Sequence, residues 1–183
     1  MAQFTPYDES VEVLGAAVSS FMNGISPNFK NKILEILSHN GINNPQVDVW
    51  YSQKAWLQSF LEISNEVGGS TLFAIGKAIL DSAVFPPNVN DLKSGMASID
   101  IAYQMNHRGG EIGYYKLVEF DELARTAKME CKNPYPCDFD RGIITSVVRR
   151  FKPFDSIHTL VELESTDKSR KYGAEESVYI IKW

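Results

Sequence analysis

The sequence has few of the residues and segments by which several large classes of protein are identified. No stretch approaches the ~18–20 apolar residues of a membrane-spanning helix. The first residues, MAQFTPYDES, lack the positive and apolar regions of a signal peptide. The 183 residues include only two cysteines and three histidines, which leaves few ligands for a structural zinc site. These absences predict a cytoplasmic protein without a membrane span, in which the cysteines are thiols.

Charge and short motifs exclude further classes. The net charge of -5 disfavours a nucleic-acid-binding protein, because such a protein needs a concentrated basic face. Two short basic clusters, residues 149–152 and 168–171, are predicted to be solvated surface. The patterns GxxxxGK followed by Ser or Thr, GxGxxG after a strand, HExxH and GxSxG are all absent. Their absence disfavours nucleotide-dependent enzymes and the common hydrolases.

Hydrophobic spacing predicts that residues 1–110 form the mainly helical part of a single domain covering residues 1–183. The first helix is expected to begin at Asp8 or Ser10 and the fifth at Asp91, since these side chains cap helices well. The predicted inner face of the first helix consists of Val11, Leu14, Val18 and Phe21. The other predicted helices cover residues 27–39, 50–67, 70–83 and 91–106.

Residues 111–183 are predicted to contain the sheet. The aromatic and β-branched segment at 113–120 indicates a strand, and a second strand is predicted at 124–131 after a turn at Asp121 and Glu122. A helix is expected from Asp138 to Phe151, and two more strands at 157–165 and 177–183. Helices followed by strand, strand, helix, strand, strand predict an α+β fold, with a helical N-terminal half packed on a small antiparallel sheet.

The segment from Cys131 to Gly142, CKNPYPCDFDRG, is the first candidate site, because it lies where helical character gives way to strands. Its prolines end the preceding strand before Cys137. Three interpretations of the two cysteines are open: buried thiols, a reversible disulfide, or a metal site completed by His107. The acids Asp138 and Asp140 suit the first turn of the following helix, and Arg141 either pairs with a nearby acid or binds a carboxylate or phosphate of a ligand.

A second polar cluster covers residues 106–111, NHRGGE. His107 and Arg108 either present charge to an anion or complement the negative end of the preceding helix, whose C-cap the glycines would supply. Both polar clusters border the expected junction between helices and sheet. The aromatic residues nearby, Tyr115 among them, are either the lining of an apolar pocket or ordinary core.

Four segments carry a resemblance to a known family: FLEISNEVGGSTLFAIGKAIL at 60–80, residues 113–120, DFDRGIITSVVRRF at 138–151, and residues 176–183. With this layout the chain resembles the 4-vinyl-reductase-like domain family. That family shares its fold with haem-nitric-oxide-binding sensors and with small subunits of vesicle-tethering complexes. The resemblance implies a pocket for a small molecule or acyl chain between helices and sheet, often in a regulatory dimer.

The chain departs from these relatives in two respects. It lacks the Tyr-x-Ser-x-Arg pattern that holds haem propionates in the nitric-oxide sensors, so haem is not expected. It also has no cysteine after Cys137, where many family members have one, and this weakens a metal interpretation.

The sequence therefore predicts a binding or sensory module for an apolar or amphipathic small molecule, with no metal and with no cofactor that the sequence identifies. The alternatives are a thiol-dependent or redox enzyme, in which Cys137 is the better-placed nucleophile, and a structural dimerisation protein. The expected partners are a small molecule, a second copy of the chain and a signalling protein. The expected ligand-binding residues are His107, Arg108, Tyr115, Cys131, Cys137, Asp138 and Arg141.

Overall fold

The structure is a computed structural model that describes residues 3–20, 22, 25–80 and 85–183, without the side chains of Val18 and Ser20. Helices and two antiparallel sheets alternate along these residues. The predicted α+β class is confirmed, as is the C-terminal order of strand, strand, helix, strand, strand. The elements are β1 (Glu12–Leu14), α1 (Gly15–Ser20), α2 (Pro27–His39), β2 (Trp50–Ser52), α3 (Gln53–Glu66), α4 (Gly69–Ile79), α5 (Leu92–Met105), β3 (His107–Arg108), β4 (Tyr114–Asp121), β5 (Thr126–Lys132), α6 (Cys137–Phe151), β6 (Leu160–Leu163) and β7 (Ser177–Lys182).

The larger sheet has the strand order β4-β5-β7-β6, with every neighbouring pair antiparallel. Its central strand β5 alternates strictly: Ala127, Met129 and Cys131 are buried, and the residues between them are partly exposed. This period of two is what a sheet with one covered face requires. Helices α5 and α6 pack against this sheet, so the seam between helices and sheet follows α6.

A second, three-stranded sheet with the order β2-β1-β3 was not predicted from the sequence. Residues 12–14 form its central strand, so the prediction of a first helix beginning at Asp8 or Ser10 was wrong. Val11 and Val13 are buried and Glu12 is partly exposed, a period of two that the expected helical face concealed. Helix α1 begins only at Gly15, and Phe21 of the expected face lies outside the described residues.

A short strand also displaced one predicted helix start. Residues 50–52 pair with β1, so α3 begins at Gln53 rather than Trp50, capped by the Ser52 hydroxyl, which accepts from Ala55 N. Here backbone pairing across the small sheet outweighs the local helical pattern. The predicted end of the fifth helix near Asn106 is confirmed, since α5 ends at Met105 with Asn106 as its C-cap, and His107 and Arg108 then pair with Val13 and Glu12 in β3.

Other boundaries differ by a few residues. The cap of α4 is Gly68, not Ser70, and the predicted continuation of this helix to Ala83 lies outside the described residues. Strand β6 is shorter than the predicted 157–165, and Ile157 of its expected inner face is 83% exposed.

Helix α2 spans the predicted residues, although Leu34 is exposed rather than inward. Helix α5 begins after Asp91 in a full capping box with Ser94, as the cap residue predicted.

Helices α4 and α6 meet backbone to backbone. A Cβ atom added at Gly76 would lie 2.1 Å from Phe139 O, and one added at Gly142 would lie 2.3 Å from Phe73 O. Only glycine fits at both positions, because the obstructing atoms belong to the main chain and not to flexible side chains. This contact holds α6, and with it the start of that helix, against the N-terminal helices.

Candidate functional site

An apolar cavity of about 80 Å³ lies between the helices and the larger sheet. Helices α3, α4, α5 and α6 and strand β4 each contribute to its wall, so both halves of the chain border it. Its polar wall residues are tyrosines, one histidine and one asparagine. The lining residues are Val13, Ala17, Trp56, Ile79, Leu80, Ile99, Ala102, Tyr103, Asn106, His107, Tyr115, Tyr135, Phe139 and Ile143.

The His107 imidazole is hydrogen-bonded at both nitrogens. Its Nδ1 lies 2.7 Å from Tyr103 O, and its Nε2 lies 2.7 Å from the Tyr135 hydroxyl. A carbonyl oxygen only accepts, so the proton of the neutral ring is on Nδ1. Nε2 is therefore an acceptor, and the Tyr135 hydroxyl donates to it.

Burial lowers the pKa of His107 to about 4, with the hydrogen bond to Tyr103 O opposing the shift. The unfolded value is about 6.5. Neutral His107 consequently stabilises the fold fully above pH 6.5, and this contribution is lost as the pH falls from 6.5 to 4. At ~1.4 kcal/mol per pKa unit, the free energy of unfolding should fall by about 3 kcal/mol across this interval.

Urea unfolding of the native protein and of His107→Gln at a series of pH values measures this contribution. The variant should show a smaller decrease between pH 6.5 and 4, because glutamine does not titrate. An NMR titration of the ring should give a midpoint near 4. A midpoint above 6, or equal pH dependence in the two proteins, would contradict a buried neutral imidazole.

Aromatic rings enclose the Tyr135 side chain. The centroid of its ring lies 5.1 Å from that of Phe139, 5.9 Å from that of Phe60 and 6.1 Å from that of Tyr103. These distances are typical of favourable ring packing. They fix the hydroxyl of Tyr135 at the point where it meets His107.

A buried ion pair lies behind the cavity wall. The guanidinium of Arg170 donates through Nη2 to Asp140 Oδ2, and both side chains are fully enclosed. The Tyr115 hydroxyl donates to Asp140 Oδ1 at 2.5 Å, and Asn133 Nδ2 lies 3.5 Å from Oδ2. Nη1 of Arg170 donates to Asn133 Oδ1 at 2.6 Å and to Tyr135 O at 2.7 Å. The network thus ties α6 and β4 to the turn that carries Tyr135.

Burial and charge act in opposite directions on this pair. Burial raises the pKa of the Asp140 carboxyl, and the Arg170 guanidinium opposes that shift. Burial lowers the pKa of Arg170, but the Asp140 carboxylate together with weaker interactions from Cys131, Cys137 and Tyr179 raises the pKa above its usual value. Because arginine keeps its proton under all ordinary conditions, the pair is ionic at neutral pH.

The two cysteines are separate free thiols. Cys131 is on the covered face of β5, where burial raises its pKa well above the usual range, which disfavours the reactive thiolate. Cys137 is the first residue of α6, and its sulfur lies 3.3 Å from Ser177 Oγ. With its amide oxygen turned towards the helix, Gln3 accepts from Cys137 N at 3.0 Å and so caps α6.

The predicted ligand-binding residues fall into four groups. His107 and Tyr115 are on the cavity wall, and Cys131 and Cys137 are buried beside the polar network. Asp138 and Arg141 pair with each other at 3.1 Å near the surface. Arg108 pairs with Glu12 and covers the ring of Trp50 outside the cavity. The structure therefore brings His107 and Tyr115 together at the cavity. It places Asp138, Arg141 and Arg108 away from the cavity.

Several residues of this site were not predicted from the sequence. Tyr135 appeared only as part of a proline-bent turn. The sequence placed Asp140 in the first turn of a helix. It placed Arg170 in a solvated basic cluster, and this cluster is exposed at Lys168 and Lys171 but fully buried at Arg170. No local signal distinguishes Arg170 from its neighbours, because its partner Asp140 lies 30 residues earlier in the chain.

Gln53, at the start of α3, is a further buried polar residue. Its carboxamide is fully enclosed, and neither its oxygen nor its nitrogen has a well-formed hydrogen bond. It nevertheless lies close enough to the Tyr135 hydroxyl to act as a donor that offsets part of the rise in pKa caused by burial. A buried amide without well-formed hydrogen bonds costs about 1–3 kcal/mol of stability.

No group of three or more His, Cys, Asp or Glu side chains within the described part of the chain is arranged to hold a metal ion. Among its helices, none combines the length and the apolar composition needed to cross a membrane.

Comparison with known proteins places the fold. No protein-family model and no curated protein matches the sequence. Among solved structures, an H-NOX protein from S. oneidensis in the Fe(II)NO ligation state matches with a TM-score of 0.66 and 12% identity, over 92% of this chain and 98% of that chain. An oxygen-binding H-NOX domain related to soluble guanylate cyclases, in its oxygen complex, matches with a TM-score of 0.58 and 17% identity, over 92% and 93% of the two chains. At such identities the likeness concerns architecture, and by that measure the chain has the fold of the H-NOX domains.

Proposed function

We propose that this chain is a sensory or regulatory module that binds a small molecule in the cavity between its helices and sheet, without haem. The observation that carries the proposal is the apolar cavity bordered by both halves, with one hydrogen-bonded polar pair, His107 and Tyr135, on its wall. Apolar walls with few convergent polar groups are typical of ligand sites. The fold shared with H-NOX proteins supports a sensory role by analogy.

The described side chains do not fit a haem group. A cavity of about 80 Å³ is far below the ~300 Å³ at which pockets for drug-sized ligands begin. Nε2 of His107 already accepts from Tyr135, and the enclosed Arg170 is held by Asp140. The five residues that start at Tyr135 read Tyr-Pro-Cys-Asp-Phe, with cysteine and phenylalanine where the Tyr-x-Ser-x-Arg pattern has serine and arginine.

Native mass spectrometry of freshly purified protein tests the proposal. We expect a mass excess that is smaller than haem and disappears on denaturation. It should also be absent from Ile143→Phe, which fills the cavity. Ile157→Phe is the matched control, because Ile157 is exposed and does not line the cavity; its mass excess should persist. A bare native chain, or an excess equal to haem, would contradict the proposal.

The thiol-dependent enzyme is not favoured by any contact of the two cysteines. Neither sulfur has a histidine or a lysine as a hydrogen-bond partner among the residues described. The rise in the pKa of Cys131 also acts against a nucleophilic role.

Finer aspects of this function stay predictions. We propose membership of the 4-vinyl-reductase-like family, a cytoplasmic location, one domain over residues 1–183, and signalling through a homodimer or a protein partner. Arg108, Asp138 and Arg141, which lie outside the cavity, are proposed as contacts for a partner rather than for the ligand.

A further inference from the structure

We infer that the end of the domain opposite the cavity is a docking surface for an acidic segment of a partner protein that inserts an apolar side chain. This docking surface consists of a cleft between the start of α5, the end of α6 and the larger sheet, together with Leu123, Phe154 and Ile157 beside it. The cavity, in contrast, lies at the end of α5 and the start of α6, where Asp138 and Arg141 are also found. The inference goes beyond the proposed function, because it does not require that the cavity hold a ligand.

The cleft is the centre of the docking surface and has a volume of about 380 Å³. The rings of Phe120 and Trp183 stack in its wall, with centroids 5.1 Å apart. Leu92, Phe151 and Pro153 are the other apolar residues of the wall. The volume is within the ~300–1,000 Å³ of pockets that bind small ligands, so a large apolar side chain of a partner fits.

The three most exposed large apolar side chains of the described residues, Leu123, Phe154 and Ile157, lie beside the cleft. Leu123 and Phe154 each directly follow a residue of the cleft wall. All three are within two residues of Arg125 or Asp155, and the ion pair of these two residues joins the β4–β5 turn to the segment after α6. Exposed apolar side chains collected next to a cleft are typical of protein interaction sites.

Cations outnumber acids at this end of the domain. Lys93 and Lys152 line the cleft, and the guanidinium of Arg150 lies over the ring of Phe151 in the wall, 5.7 Å from its centroid. Among the described residues neither lysine forms an ion pair. The cations of this end are Lys93, Arg125, Arg149, Arg150, Lys152 and Lys182.

The four acids at this end are mostly engaged within the protein. Asp91 and Asp121 each accept from the backbone amide three residues later, at 2.7 Å and 2.8 Å. Asp155 is paired with Arg125, and only Glu122 of the cleft wall has no such contact among the described residues. The surface therefore has an excess of positive charge, which attracts and orients an acidic partner.

Two other occupants fit these features less well. A second copy of the chain, related by a two-fold axis, would bring the same cations opposite each other. A lipid bilayer would contact the exposed side chains but would not fill a cleft, and the net charge of -5 opposes approach to an anionic membrane. A protein segment with an apolar anchor among acidic residues matches both the cleft and the charge.

Fluorescence anisotropy of a labelled peptide, titrated with the full chain, tests the inference. In the probe peptide, acidic residues surround a tryptophan and a leucine four positions apart. Two matched peptides serve as controls: one has lysine at every acidic position, and the other has alanine in place of the tryptophan and the leucine. We expect the probe to bind at least tenfold more tightly than either control.

Surface variants locate the binding without disturbing the fold. Phe154→Ser removes a fully exposed side chain, and Lys93→Glu puts an acid in the first turn of α5, where a helix favours it. Each should weaken binding of the probe at least fivefold. Val47→Ser and Lys168→Glu make the same changes at exposed positions outside the docking surface and should bind as the native protein does.

Several results would overturn the inference. They are equal binding of the acidic and basic peptides, no binding of the probe, or equal binding by Phe154→Ser and the native protein. Cosedimentation of the native chain, but not of Phe154→Ser, with vesicles of equal parts phosphatidylcholine and phosphatidylserine would overturn it in favour of a membrane surface. A dimer that Phe154→Ser abolishes would overturn it in favour of a second copy.

The inference and the proposed function can fail separately. Ile143→Phe fills the cavity and should bind the probe peptide as the native protein does. Phe154→Ser should retain the mass excess expected in native mass spectrometry, because Phe154 does not line the cavity. Loss of peptide binding in Ile143→Phe would contradict a docking surface that is independent of the cavity.

Discussion

Replacing Arg170 with methionine should lower the free energy of unfolding at pH 7 by about 4 kcal/mol, because it leaves a buried carboxylate without its cation. Methionine keeps the apolar stem of the side chain but removes the guanidinium and its donors to Asp140, to Asn133 Oδ1 and to Tyr135 O. Only the Tyr115 hydroxyl and the distant Asn133 amide would still face the Asp140 carboxyl. Urea unfolding measures the difference.

The deficit of this variant should depend on pH in a defined direction. Without the guanidinium, burial alone acts strongly on Asp140 and raises its folded pKa above the unfolded value of about 3.9. Protonated Asp140 then favours the folded state at low pH, and this contribution is lost as the pH rises through the folded pKa. The variant should therefore differ less from the native protein at pH 4 than at pH 7.

Arg125→Met is the matched control for the same substitution at an exposed pair. Arg125 and Asp155 have side-chain exposures of 41% and 65%, so the loss should be within about 1 kcal/mol. A loss for Arg170→Met as small as that of the control would show that the buried pair contributes no more than a surface pair.

Gly76→Ala is expected to lower the free energy of unfolding by about 3 kcal/mol, since the new methyl group would overlap the backbone of α6. The nearest atom, Phe139 O, lies 2.1 Å from the added Cβ, and Gly142 Cα lies at 3.2 Å. Helices α4 and α6 must separate to accept it. This separation displaces Phe139 and Ile143 at the cavity, so the binding of small probes should also weaken.

Gly69→Ala in the same helix is the control. An added Cβ there meets nothing closer than 3.9 Å, an ordinary contact distance. Alanine is also the better helix former, so this variant should be as stable as the native protein or up to ~1 kcal/mol more stable. Equal melting curves for the two variants would disprove the close backbone contact.

Local patterns predicted the longer elements well. Helix α2 spans the predicted residues, with Pro27 at its start and Gly41, at a φ of 83°, just after its end. Asp91 capped α5 as expected, and the strand predicted at 124–131 corresponds to β5. In these segments propensity, capping and burial favour the same structure, so the sequence alone is sufficient.

The small sheet could not be predicted in this way. Its strands are two or three residues long and lie far apart in the chain, and their stability comes from pairing with each other. Val11 and Leu14 have the spacing of a helical face, Val11 and Val13 have the spacing of a strand, and neighbouring residues alone do not decide between the two. His107 is placed by this pairing, and the first helix was predicted wrongly for the same reason.

The candidate site was predicted in its location and not in its chemistry. The sequence by itself determined a resemblance that implied a pocket between helices and sheet, and it showed the polar and aromatic clusters by which His107 and Tyr115 were expected near that junction. Only the tertiary structure decided that Tyr135 faces His107, that Arg170 leaves a charged loop to neutralise Asp140, and that Arg108, Asp138 and Arg141 lie elsewhere. A buried charge needs a partner within hydrogen-bond reach, and the fold supplied that partner from a distant part of the chain, where the sequence pattern gave no indication of it.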